Sequence, residues 1–211
     1  MNPVKGGLID NDGSKVAIFP PKPGMENHDG KGSIGHQAAI DSAEHEMKDA
    51  SAYPTKNNIP EKVRVQIAGL LQGHLVNSID LTLQAKQAHW NVKGPNFIAL
   101  HELFDKITEE AEGFADLIAE RIVQLGGIAI GTLGPVDLKS TLPTYPLKIS
   151  GGKEHVAALS HSLASYGESI RAAIAQTAEL NDAGTADILT EISRAADKNL
   201  WFVEAHAQAN D

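Results

Sequence analysis

Apolar residues recur at helical spacing in four runs that together occupy the chain from about residue 60 onward. The first run opens at Asn58-Ile59-Pro60, a polar residue and a proline of the kind that start helices, and continues to about Trp90. Asn91 to Pro95 interrupts it. A second run begins near Asn96 and ends at Gly126-Gly127, where glycine can take the left-handed conformation that closes a helix. Between Gly131 and Gly152, Pro135, Pro143 and Pro146 mark a long crossover. The third run carries Val156, Leu159, Leu163, Tyr166, Ile170 and Ile174. The fourth, after Gly184-Thr185, carries Ile188, Ile192, Ala195 and Val203.

Four long helices with one long middle connection predict an all-α fold, a ferritin-like four-helix bundle, assigned to residues 60–211. Residues 1–59 are a different kind of sequence. Gly6-Gly7, Pro20-Pro21 and Pro23-Gly24 accompany few large apolar side chains, so this stretch is expected to be a mostly flexible N-terminal extension.

Composition then narrows the chemistry. The 211 residues include no cysteine, which excludes disulfides, thiolate metal sites and cysteine nucleophiles, and any metal must be held by imidazole and carboxylate. A formal charge of −9 suits a protein that attracts cations and disfavours a simple electrostatic grip on nucleic acid. Neither a secretory leader nor an apolar stretch of membrane-spanning length is visible, so the expected location is the cytoplasm.

The second helix is predicted to have two working faces. At about 100° per residue, Leu100, Leu103, Phe104, Ile107, Ala111, Phe114, Ile118, Ile122 and Leu125 fall in one stripe, the core face. His101, Asp105, Asp116 and Glu120 cluster on roughly the opposite side. A solvated polar face is the plainest account of them. The i,i+4 spacing within each pair also lets two side chains converge on one ion, but Asp105 and Asp116 are about three turns, roughly 16 Å, apart along the axis. One helix cannot bring all four to one metal. A second copy lying antiparallel, with its two-fold axis near residues 110–111, would set His101 opposite Glu120 and Asp105 opposite Asp116, making two identical shared sites. The same operation sets Ile98 against Val123.

His89, at the end of the first helix, can swing in beside His101 of its own chain. Two imidazoles and three carboxylates suit ferrous iron, with zinc or manganese also compatible. No Glu-x-x-His occurs in the chain, which argues against a dimetal centre inside the bundle.

The segments KQAHWNVKGPNFIALHELFD, DLIAERIVQLGG and TADILTEISRAADKNLWFVEAH resemble the Dps family, the DNA-binding proteins from starved cells or mini-ferritins, over about residues 60–207. The resemblance implies a hollow homododecamer built from two-fold dimers. In it His89, His101 and Asp105 of one subunit would meet Asp116 and Glu120 of its neighbour at a ferroxidase centre. Fe(II) would be oxidised there, preferably by hydrogen peroxide, and the ferric mineral stored inside, protecting the cell and its DNA. Trp90 would lie near the site, as an electron donor or as ordinary packing at a helix end. Asp182, Asp187 and Glu191 match the spacing of the acidic lining of the family's three-fold pore for incoming iron. They fit equally well as acids at a helix N-terminus.

Two features depart from the family. Residues 1–60 hold six lysines against eight acids, and the C-terminal AHAQAND adds no basic residue, so DNA binding is expected to be weak. A nucleoid-associated protein acting mainly through DNA remains the rival reading. Within the extension, Asp41, His45 and Asp49 fall at i, i+4 and i+8 with His36 nearby, a candidate second site for zinc or another divalent metal.

Overall fold

The computed structural model describes residues 53–208. The candidate cluster His36, Asp41, His45 and Asp49, and the extension up to residue 52, lie outside the described residues.

Helix α1 spans Glu61–Asn91 and α2 spans Phe97–Gln124. A short helix α3, Leu133–Lys139, lies within the crossover, and α4, Gly152–Glu179, and α5, Ala183–Glu204, complete the set. No strand occurs among the described residues. Helix α1 packs against α2 and α4, while α5 packs against α4 and α2. Cross-bundle hydrogen bonds show the directions: Ser78 pairs with Tyr166 and Gln84 with Ser162, so α1 and α4 run antiparallel. The core between them contains Leu71, Leu81, Phe104, Ile118, Leu163 and Ile192, each at most 1 % exposed. Burial of one such side chain contributes about 1.5–3 kcal/mol before entropy is counted.

The helix ends follow local chemistry. Gly126 has φ 88°, and the Gly126 and Gly127 amides donate to the Val123 and Ile122 carbonyls, the Schellman closure expected of the glycine pair. A side chain at Gly126 would also meet the Tyr53 carbonyl at 2.7 Å, because residues 53–59 run over this helix end. Arg64 latches them there, donating to the Ile59 and Leu125 carbonyls.

Two elements differ from the sequence expectation. Residues Leu133–Lys139 are helical despite Gly134 and Pro135, because Pro135 falls in the first turn, where its missing N–H has no helical partner to lose. Helix α5 begins at Ala183, before Gly184-Thr185, because the Asp182 side chain accepts from the Thr185 amide at 3.0 Å and caps the helix.

Candidate metal centre

The α1–α2 turn folds back so that the last turn of α1 faces the first turns of α2. Gly94, at φ 115°, allows the reversal, and the Lys93 amide donates to the Ser150 carbonyl. His89 and His101 are thereby stacked, ring centroids 3.7 Å apart and 20° from parallel. Each Nδ1 lies 2.8 Å from the other residue's backbone carbonyl. A carbonyl can only accept, so both Nδ1 atoms carry a proton, and in the neutral imidazole the lone pair is the one on Nε2. That tautomer is the one a metal needs.

Asp105 lies on the same side, its carboxylate oxygen 3.9 Å from His89 Nδ1. Lys86, from the preceding turn of α1, ion-pairs with it. The Lys86 hydrogen bond, assisted by charge near His89 and His101 and only partly offset by desolvation, holds the Asp105 carboxyl below the usual carboxylate range. Asp105 is therefore anionic and already paired with a cation. Phe97 covers the outer face of His101, centroids 5.0 Å apart, and Trp90 is 66 % exposed beside the site.

His89, His101 and Asp105 thus converge within one chain, whereas Asp116 and Glu120 lie exposed further along α2. Among the described residues no group of three or more His, Asp or Glu side chains is arranged to hold a metal by itself. Asp116 borders an open groove of about 420 Å³ between α1 and α2, lined by Leu75, Ile79, Leu83, Ala115 and Ala119. Ile98 and Val123, at the two ends of the same helix, are 60 % and 57 % exposed.

The candidate pore residues separate into two kinds. Asp187 and Glu191 are exposed one turn apart on α5. Asp182 does not join them: it is 3 % exposed, and both its oxygens accept from Arg121 Nη2, at 2.8 and 2.9 Å. Burial alone would raise its pKa, but hydrogen bonds from Thr185 and Arg121 outweigh this and hold the carboxyl low. Within the chain Asp182 serves as a helix cap and a buried ion-pair partner.

Sequence reasoning missed Lys86, although its position three residues before His89 places it on the same helical face. It also missed the buried pair Tyr145 and His155, which no periodicity connects.

These helices and their packing define the class. The ferritin-like domain matches residues 68–210 of the chain. The chain belongs to the Dps family, being 45 % identical over 156 residues to the DNA protection during starvation protein of Agrobacterium fabrum, across 74 % of this chain and 96 % of that one. Among solved structures, Mycobacterium smegmatis Dps in its tetragonal form superposes with TM-score 0.71 at 35 % identity, covering 74 % of this chain and 95 % of that chain. DpsA14 from Streptomyces coelicolor superposes with TM-score 0.72 at 32 % identity, covering 76 % and 95 %. No helix of the described residues is long and apolar enough to cross a membrane.

Proposed function

We propose that this protein is a ferroxidase and iron-storage mini-ferritin whose iron site is completed across a two-fold interface. The observation that carries this reading is the reciprocal histidine lock, which engages both Nδ1 atoms and leaves the Nε2 atoms for a metal, with the ionised Asp105 carboxylate near His89. Iron is the substrate. His89, His101 and Asp105 of one subunit hold it on one side, and Asp116 and Glu120 of the neighbour close the other. The exposed Ile98 and Val123 and the apolar groove beside Asp116 support burial of this face against a second copy.

The mixed nitrogen and oxygen set binds Fe(II), and its carboxylates favour Fe(III). Two Fe(II) each give one electron to one hydrogen peroxide, whose O–O bond breaks to yield two hydroxides, which protons convert to water. Pairing the electrons avoids release of hydroxyl radical. The ferric product then accumulates as mineral in a dodecameric shell, with Asp187 and Glu191 drawing Fe(II) inward. Protection of the cell and its DNA follows from removal of iron and peroxide, in keeping with the name carried by the Agrobacterium relative.

Stopped-flow oxidation of Fe(II) with peroxide and with oxygen, together with particle mass, tests the reading. Faster oxidation by peroxide in a twelve-subunit particle is expected. A protein that oxidises Fe(II) no faster than buffer, with either oxidant, overturns it.

A further inference from the structure

The proposed ligands of one chain all lean on a single turn that contributes no ligand, the start of α4. Three contacts define this. The Lys93 amide donates to Ser150 at 2.8 Å, tying the turn that follows His89 to the residues preceding α4. Gly152 lies so close to Leu100, the neighbour of His101, that a Cβ there would meet Leu100 Cδ1 at 2.8 Å. The His155 ring packs against Phe104, the neighbour of Asp105, at 6.4 Å between centroids. Lys93 is four residues beyond His89, and Leu100 and Phe104 directly precede His101 and Asp105, so each ligand is within about one helical turn of a contact with the segment 150–155.

His155 is the polar centre of this segment. It is 1 % exposed and its Nδ1 lies 2.8 Å from the hydroxyl of Tyr145, itself 8 % exposed. Its Nε2 is buried without a well-formed hydrogen bond, and the carbonyls of Asn91 and Ile149 lie beside the ring. Asn91 is the last residue of α1, two beyond His89. If Tyr145 donates to Nδ1, the ring proton sits on Nε2, on the nitrogen left to face those carbonyls. The buried His155 ring thus sits between a crossover tyrosine and the carbonyl end of α1. The cost of leaving such a polar group poorly paired in a core points to a role beyond packing.

We propose that Tyr145 and His155 are positioning residues for the iron site: without touching iron, they fix the α1–α2 turn so that the His89 and His101 rings stay stacked with each Nδ1 on the other's carbonyl. This inference rests on the ferroxidase reading of His89, His101 and Asp105.

Co(II), which takes the same ligands as Fe(II) and has a visible spectrum sensitive to coordination geometry, is the probe. Full-length assembled protein is titrated as wild type, Tyr145→Phe, His155→Leu and His155→Gln, with His101→Ala as control. The expected result is about tenfold weaker Co(II) binding and an altered visible band in Tyr145→Phe and His155→Leu, as for other partners that orient metal ligands. His155→Gln, which keeps an N–H able to reach the same carbonyls, should recover most of the affinity. Thermal unfolding is recorded separately, since a pair that only stabilises the fold would lower the midpoint and leave affinity and spectrum alone. Wild-type affinity and spectrum in Tyr145→Phe overturn the inference whatever happens to the midpoint, and Tyr145→Phe decides alone if His155→Leu does not assemble. If His101→Ala abolishes the Co(II) signal while the Tyr145 and His155 variants keep it, only the positioning role fails. Undiminished binding in His101→Ala overturns the ferroxidase reading along with it.

Discussion

His89 and His101 fix each other's tautomer: each donates from Nδ1 to the other's main-chain carbonyl at 2.8 Å while the two rings stack at 3.7 Å. The arrangement needs both residues. The donor helix of each is the acceptor of the other, so the end of α1 and the start of α2 are joined at the point where the proposed ligands emerge. Orientation of both nitrogens is set before iron arrives, which reduces the ordering that binding must impose.

On the ferroxidase reading, Lys86 would compete with iron for Asp105. Its ammonium pairs with the carboxylate that the ferroxidase reading assigns to the metal. Lys86→Gln removes that competition, and Co(II) affinity is expected to rise about two- to fivefold, the range of a solvent-exposed ion pair. Unchanged or weaker binding on titration would show that Lys86 does not oppose the metal.

Arg121 and Asp182 join the end of α2 to the start of α5 through an ion pair in which one guanidinium nitrogen serves both carboxylate oxygens, with side chains 12 % and 2 % exposed. Asp182→Ala leaves the guanidinium unpaired and is expected to cost on the order of 3–5 kcal/mol in denaturant unfolding. The folded pKa of Asp182 is depressed, so its contribution is present above the unfolded carboxylate value and is lost as pH falls through the lower folded value. Asp187→Asn with Glu191→Gln should instead slow iron uptake and leave unfolding unchanged. A stability loss below about 1 kcal/mol for Asp182→Ala, the lower range for a cap alone, would contradict the buried-pair account.

His74 makes the fold sensitive to acid. Burial pushes its pKa down from 6.5 to about 4, and its Nδ1 has no partner. The folded state therefore excludes a proton that the unfolded state accepts, and stability falls as pH drops from about 6.5 towards 4. The loss is on the order of 3 kcal/mol by pH 4. His74→Gln should flatten this part of the stability profile. Parallel wild-type and variant profiles from denaturant titrations at several pH values would remove the assignment.

The bundle was largely legible in the sequence, because burial of one helix face imposes a period that survives in the residues themselves. Leu100, Leu103, Phe104, Ile107, Ala111, Phe114, Ile118, Ile122 and Leu125 were expected on the core face of α2, and all are buried except Leu103, which is half-buried against the core. Helix α3 was not legible, since Gly134 and Pro135 read as breakers unless their place in a first turn is known. The environment of Asp182 was only half legible: its place at a helix N-terminus is visible in sequence, whereas its partner Arg121 is 61 positions away. Tyr145 and His155 meet across a turn with no repeating pattern. The proposed ligands were legible as two i,i+4 pairs, and the reciprocal lock of His89 and His101 appears only once the α1–α2 turn is folded.

Duplex DNA should bind weakly or not at all at physiological salt, because the net charge is −9 and residues 1–60 hold more acids than lysines. A gel-shift assay checks this. Tight binding at about 150 mM salt, where surface charges are screened beyond roughly 8 Å, would favour a DNA-binding role over an iron-handling one.

The most direct test of the shared site mixes two defective subunits. Asp105 and Asp116 stand about three turns apart on α2, so a site that used all the proposed ligands would draw its second pair from a neighbour. His101→Ala and Glu120→Ala proteins should each assemble and each lose most rapid Fe(II) oxidation. In a mixed two-fold dimer one site receives both defects, while the other receives intact ligands from both chains. Random co-assembly should therefore restore about a quarter of the sites, read as a fast phase of that amplitude in stopped-flow oxidation of mass-verified mixed particles. Mixed particles that oxidise Fe(II) no faster than either parent would contradict the shared site.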